Sequence, residues 1–172
     1  MHEPAYNFVR MVACMLGRRR AVCEFGSRNV NGSVRPLFAD APVYVGVDAR
    51  EGPGVDVVCD AADYRPDRLF DTVVCTETLE HTPRVRDICA NAARILSPGG
   101  VFLVTAAAPP RTPHSAEDGG PLRPGEYYGN VSEAQLRPLL EEFFGCVLID
   151  TWTSPGDIYA LAVKTGGPAT AD

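Results

Sequence analysis

Apolar and polar positions alternate in short blocks along the chain, and the blocks are of two kinds. Over residues 6–16, Phe8, Val9, Val12, Met15 and Leu16 recur at helical spacing and predict a short amphipathic helix. From residue 21 onward, brief apolar runs predict strands. The first, 21–25, stops at Gly26; 42–47 stops at Asp48; 55–59 stops at Asp60; 70–75 follows. A Ser97-Pro98-Gly99-Gly100 turn leads into 101–107, and 146–151 and 158–163 complete the series.

Two more helices are predicted among these strands. Thr82-Pro83 reads as an N-cap with proline at the first helical position. Val85, Ile88, Cys89, Ala92 and Leu96 then make one apolar face. Ser132 with Gln135 has the form of a capping box, and Leu136, Leu139, Leu140 and Phe143 supply a stripe behind it. Pro138 interrupts that stripe and predicts a kink or a late start. Strands alternating with helices predict an α/β fold with a mostly parallel sheet. Residues 49–54 are too few for a crossover helix and predict a tight loop. Residues 108–130, rich in Pro, Gly and polar groups, form a loop long enough to suggest a function. Residues 166–172 read as a flexible tail.

The length, 172 residues, fits a single domain with an N-terminal helical segment at 1–19. The net charge is -6, and every basic residue but Lys164 is arginine. That balance argues against general nucleic-acid binding. The one basic cluster, Arg18-Arg19-Arg20, reads as a cap on a helix C-terminus. Six cysteines lie mostly in apolar runs, with no C-x-x-C pair, and predict reduced thiols in the cytoplasm. Met1-His2-Glu3-Pro4 lacks a basic stretch leading into an apolar core, which argues against a signal peptide. The apolar runs are too short to span a membrane.

Candidate chemistry sits at the strand ends. Gly26 leaves the first strand, where a missing side chain lets backbone approach a ligand. Asp48, at the end of the second strand, is placed to accept the hydroxyls of a ribose. Asp60 ends the third. Gly, Asp and Asp in succession line one sheet edge, where open α/β folds bind ligands.

These residues lie in runs that resemble the class I S-adenosylmethionine-dependent methyltransferases, in the branch with a Leu-Glu-His motif after strand four. The runs are Cys23-Glu24-Phe25-Gly26, Tyr44-Val45-Gly46-Val47-Asp48, Asp56-Val57-Val58-Cys59-Asp60-Ala61, Phe70-Asp71-Thr72-Val73-Val74, Glu77-Thr78-Leu79-Glu80-His81 and Leu96-Ser97-Pro98-Gly99-Gly100. The resemblance implies a three-layer Rossmann-like sheet of seven strands, mostly parallel, with the last antiparallel. It implies S-adenosyl-L-methionine as cofactor. Glu24 and Gly26 are then expected beside its methionine part, with Ser27 next in the loop. Asp48 is expected at the ribose and Ala49 against the adenine, with Asp60 and Ala61 at the adenine edge. Glu77 and Leu79 are expected to flank the methyl donor. Two departures stand out: Arg28 replaces a second glycine, and the crossover after strand two is missing.

An oxygen acceptor of high pKa needs a general base, and His114 and His81 are the candidate catalytic residues. His81 also suits a purely structural part, ordering the strand-four loop. The 108–130 loop brings His114, Asp118, Glu126, Tyr127 and Tyr128 to the expected substrate side, where a solvated lid is the alternative. His114, Asp118 and Glu126 match no metal-ligand spacing, and no metal is expected. The Asn/Asp-Pro-Pro-aromatic run of amino-methylating enzymes is absent at residues 75–78, which argues against adenine or glutamine N-methylation. The expected activity is methyl transfer to a small-molecule or exposed acceptor. The alternative is a non-catalytic binding or scaffold domain of the same fold. A nicotinamide oxidoreductase ranks last, because the glycines do not fit G-x-G-x-x-G.

Overall fold

A computed structural model describes residues 2–166 of the chain. Seven strands form one sheet: β1 Ala21–Phe25, β2 Val43–Asp48, β3 Val57–Val58, β4 Phe70–Thr76, β5 Leu96–Ala107, β6 Cys146–Trp152 and β7 Asp157–Val163. Their spatial order is β3-β2-β1-β4-β5-β7-β6. Strands β1 to β5 pair in parallel, whereas β7 runs antiparallel to both β5 and β6. The chain steps outward from β1 to β3 and then returns to the other side of β1 as β4. That reversal makes a crevice at the carboxyl ends of β1 and β4.

Alternation along the central strands sorts the core into two layers. Val22, Val74 and Leu103 pack with Val9 and Val12 of helix α1 (Glu3–Leu16) and Phe38 of a 3-10 turn (Arg35–Phe38). Cys23, Phe25, Val73, Cys75, Phe102 and Val104 pack instead with Ile88, Cys89 and Ala92 of α2 (Val85–Ile95) and Leu136 and Leu140 of α3 (Glu133–Phe143). Strands β1, β4 and β5 are apolar on both faces over most of their length because both faces are covered. Among the described residues, no helix is long and apolar enough to cross a membrane.

Several local expectations are corrected. β3 shrinks to two residues: the Asp56 side chain accepts the Gly46 amide (2.7 Å), so the ladder with β2 begins only at Val57. Thr82 does not cap α2. Its hydroxyl accepts the Arg84 amide (3.1 Å) in a turn that precedes the helix. Leu96 opens β5 rather than closing α2, and the pairing with β4 shifts register between Phe70 and Thr72. The capping box at Ser132 and Gln135 is present, and α3 runs from Glu133 without a late start, Pro138 within it. The box holds the first turn, so a single missing amide at Pro138 leaves the helix intact. Arg18–20 do not cap α1, which ends at Gly17 with φ of 66°. Arg19 reaches instead to Asp71 and Thr72, tying the helix exit to β4. Residues 108–130 contain neither helix nor strand, and 167–172, most of the expected tail, lie outside the described residues.

Candidate active site

A cleft of about 900 Å³ opens at the carboxyl ends of β1, β2 and β4. Gly26 leaves β1 with φ of 74°, and a Cβ there would overlap the Thr78 hydroxyl, so only glycine fits. Ser27 follows, almost wholly buried, and its Oγ faces no hydrogen-bond partner among the described residues. Asp48 is fixed at the tip of β2 by the amides of Arg28 (3.1 Å to Oδ2) and Arg50 (2.9 Å to Oδ1). Asp60 accepts the Ala62 amide (2.8 Å) and lies 3.1 Å from Arg84. Ala49 and Ala61 line the cleft beside these two acids. Glu24 forms part of the wall and accepts the Tyr44 hydroxyl (2.7 Å). Burial pushes its carboxyl up to about 7, against the lowering effect of that hydrogen bond.

Arg28, the departure from the glycine pattern, bonds through its guanidinium to the Glu117 carboxylate (2.7 Å) and carbonyl (3.2 Å). Arg50 pairs with the same carboxylate. The loops that follow β1, β2 and β5 are thereby joined at the cleft.

Glu77, at the exit of β4, has φ of 50°, an unfavourable backbone for a residue with a Cβ. Its carboxylate accepts the Thr105 hydroxyl (3.0 Å) and lies 3.3 Å from Nδ1 of His2. The other His2 nitrogen is 2.6 Å from Asp157, a fully buried acid that also receives Arg111 (2.6 Å) and the Tyr159 hydroxyl (2.7 Å). The Glu77 hydrogen bond chiefly holds the His2 imidazolium above its ordinary pKa. Burial alone pushes the Glu77 carboxyl up; His2 and Thr105 outweigh it and hold the group below the usual range.

His81 and His114 also line the cleft, and Tyr128, expected on the substrate side, packs against both rings without lining it. Their ring centroids are 5.1 Å apart for the two histidines, 5.5 Å for His81 and Tyr128, and 5.0 Å for His114 and Tyr128. Burial, helped by the neighbouring His114, pushes His81 down to about 4, so it is neutral at physiological pH. Leu79 is the exception among the expected cofactor residues. The 3-10 turn Leu79–His81 directs it into the core, where it is fully buried, and it does not line the cleft. Asp118 pairs with Arg123, and Glu126 accepts the Ser115 hydroxyl (2.7 Å) and the Arg123 amide (2.8 Å). Neither acid lines the cleft, and Tyr127 is exposed on the loop.

Residues 40–104, which carry the strand-end acids and the Glu77 turn, match the protein family described as "Methyltransferase domain". That stretch is similar to a methyltransferase domain. The chain's fold is that of the class I enzymes. It is similar to 1,6-didemethyltoxoflavin-N1-methyltransferase from Burkholderia thailandensis, solved with 1,6-didemethyltoxoflavin and S-adenosylhomocysteine (TM-score 0.68, 19% identity, 95% of this chain and 78% of that one). It is also similar to the N-methyltransferase NodS from Bradyrhizobium japonicum with S-adenosylhomocysteine (0.66, 14%, 95% and 86%). Magnesium protoporphyrin IX methyltransferase from Synechocystis, with bound S-adenosylmethionine, is a third (0.64, 18%, 94% and 79%). No curated protein matches the sequence.

Among the residues in or near the cleft, His2, Arg111, Glu117 and Asp157 escaped the sequence reading. An acid directly before the apolar run 158–163 was the one available signal for Asp157. His2 carried none, because its role depends on α1 holding the N-cap residue before it between Glu77, after β4, and Asp157, at the start of β7.

Proposed function

We propose that the cleft binds S-adenosylmethionine and that the chain transfers its methyl group to a small-molecule or protruding acceptor. One observation carries this reading: Gly26, Asp48 and Asp60, at the ends of three adjacent strands, converge on one cleft beside a buried, unpartnered Ser27 hydroxyl. The cofactor fits what these groups lack. An adenosyl ligand brings hydroxyls that Asp48 can accept, and the missing Gly26 side chain leaves room for close approach. Glu24, Gly26 and Ser27 are assigned to its methionine part, Asp48 and Ala49 to the ribose and adenine, Asp60 and Ala61 to the adenine edge, and Glu77 to the region of the methyl donor. When bound, it supplies a methyl group already activated by the sulfonium.

The protein's own task is then mostly alignment and exclusion of water. The loop over 108–130 shapes the acceptor side through His114 and its neighbours at 111–116. Asp118 and Glu126 hold that loop together rather than face the acceptor. His114, with Nδ1 directed at the Thr112 carbonyl (3.2 Å), keeps Nε2 for a proton of an acceptor hydroxyl; neutral His81 stands beside it. Six free cysteines favour a reducing cytoplasm. The cleft has no inserted domain over it among the described residues, which favours a compact acceptor over a polymer.

Calorimetric titration of wild type and Asp48→Ala with S-adenosylmethionine, S-adenosylhomocysteine and NAD tests this. Micromolar binding of both adenosyl ligands, weakened at least about tenfold in Asp48→Ala, is the expected result; two hydrogen bonds to a charged group account for that size. Binding of NAD alone refutes it. A second reading, a scaffold domain without turnover, rests on the Arg28–Glu117 contact at the cofactor loop. It gains if no adenosyl ligand binds.

A further inference from the structure

Two groups of metal-ligating side chains form among the described residues, and they differ in what already occupies them. In the first, His2, Glu77 and Asp157 bring donor atoms within 4.8 Å of one another. Arg111 takes one oxygen of Asp157, and the Tyr159 hydroxyl and His2 take the other. Although His2 Nδ1 has no hydrogen-bond partner among the described residues beyond its ion pair with Glu77, the buried acid of this cluster thus has no oxygen left unpaired. The second is Glu80, His81 and His114, whose donor atoms also lie within 4.8 Å.

This second group is unfinished. Glu80 is completely buried; one of its oxygens accepts the Ala107 amide (3.2 Å), and Oε2 has no partner among the described residues. The Nδ1 atom of His81, also buried, has none. A buried carboxyl oxygen without a partner costs about 1–3 kcal/mol, and the Glu80 oxygen and His81 nitrogen are both unpartnered among the described residues, which leaves the pair open to a ligand or ion. The third member is oriented as metal-binding histidines are: Nδ1 of His114 faces the Thr112 carbonyl, which leaves Nε2 its lone pair. Tyr128 packs its ring edgewise against both imidazoles and is itself fixed by Asn130 (3.0 Å). Arg111 acts on Glu80 only electrostatically, and its charge is matched by Asp157.

The geometry points to a divalent transition-metal site formed by Glu80, His81 and His114, open toward the cleft. Two imidazoles and one carboxylate suit zinc, iron(II), manganese or cobalt. Ligands at about 2.0–2.2 Å from an ion stand roughly 3–3.5 Å apart, so a small turn of the half-buried imidazoles completes the set. His81 and His114 line the cleft, so the ion's free positions face the acceptor side. There it would take an oxygen of the acceptor, a hydroxyl or a carboxylate. This deepens the methyl-transfer reading and rests on it for the acceptor, though not for the ion. The imidazoles then hold the metal instead of taking a proton.

The test uses full-length, tag-free protein stripped with a chelator and titrated with Co²⁺ by visible absorption and with Zn²⁺ by calorimetry. One ion per chain is expected, with ligand-field bands of nitrogen and oxygen donors and no thiolate charge-transfer band. His114→Ala, in a loop without helix or strand, is expected to weaken binding at least about tenfold while circular dichroism shows the fold retained, and Glu80→Gln likewise. No uptake, a thiolate band, or His114→Ala binding as tightly as wild type overturns the proposal. S-adenosylhomocysteine titrated into the stripped protein separates the two readings. Its binding without metal supports the cofactor site whatever Co²⁺ does, and its failure beside a normal Co²⁺ titration strikes the cofactor reading and leaves the metal site standing.

Discussion

Gly26 holds φ at 74° where β1 leaves the sheet, and the Thr78 hydroxyl fills the space its side chain would need. Gly26→Ala therefore carries two separable costs. A Cβ in left-handed backbone costs about 1–2 kcal/mol. Overlap with Thr78 adds about 1–3 kcal/mol of overpacking. The total, about 2–5 kcal/mol, is a large part of the 5–15 kcal/mol typical of a domain. At this chain length each kcal/mol moves the melting temperature by about 2–4 °C, so a fall near 10 °C is expected. Urea denaturation followed by circular dichroism gives the free energies, and a cycle with Thr78→Gly separates the costs. Removing the Thr78 side chain should recover the overlap, so the double variant is more stable than the two singles predict by about 1–3 kcal/mol. The backbone cost remains. A Gly26→Ala midpoint equal to wild type, or strictly additive variants, would refute the claim that Thr78 reserves this position for glycine.

Two further expectations concern buried titratable groups. The Glu24 carboxyl keeps its proton up to about 7, whereas the unfolded carboxyl loses it near 4.5. The folded state thus binds more protons across that window, and stability falls as the pH rises through it. Glu24→Gln should flatten this slope, gaining on the order of 3 kcal/mol at most above pH 7 relative to wild type; parallel slopes for the two proteins would contradict the burial argument. Cys14 and Cys146 are exposed, while Cys23, Cys75 and Cys89 are buried, and burial pushes the Cys89 thiol up to about 12. Ellman's reagent should find the exposed pair at once and the buried three only in denaturant, with mass spectrometry assigning each label; early modification of Cys23 or Cys75 would show the core to be looser than described.

Much of the sheet was legible because its strands are short apolar runs with conspicuous stops. Gly26, Asp48 and Asp60 mark the ends of three neighbouring strands in the chain itself, and all three line the cleft. What failed was local competition and distant convergence. Thr82 had a capping residue's composition, but its hydroxyl closes a turn one step earlier. Asp56 looked like a strand residue, yet its side chain replaces a ladder bond and shortens β3. Leu79 belongs to the same run as Glu77, but a single 3-10 turn sends one to the core and the other to the cleft. Residues 2, 77, 111 and 157 meet only after the sheet forms, and no periodicity in the chain announces such a meeting.

Glu117 is held by Arg28 and Arg50, so three loops that belong to different strands share one carboxylate. The consequence is a shared dependence. Loss of that one carboxylate leaves two arginines on two different loops unpaired at once. The backbone that follows Gly26 and the backbone that follows Asp48 are thus both tied to a residue far along the chain, outside the strands that carry them.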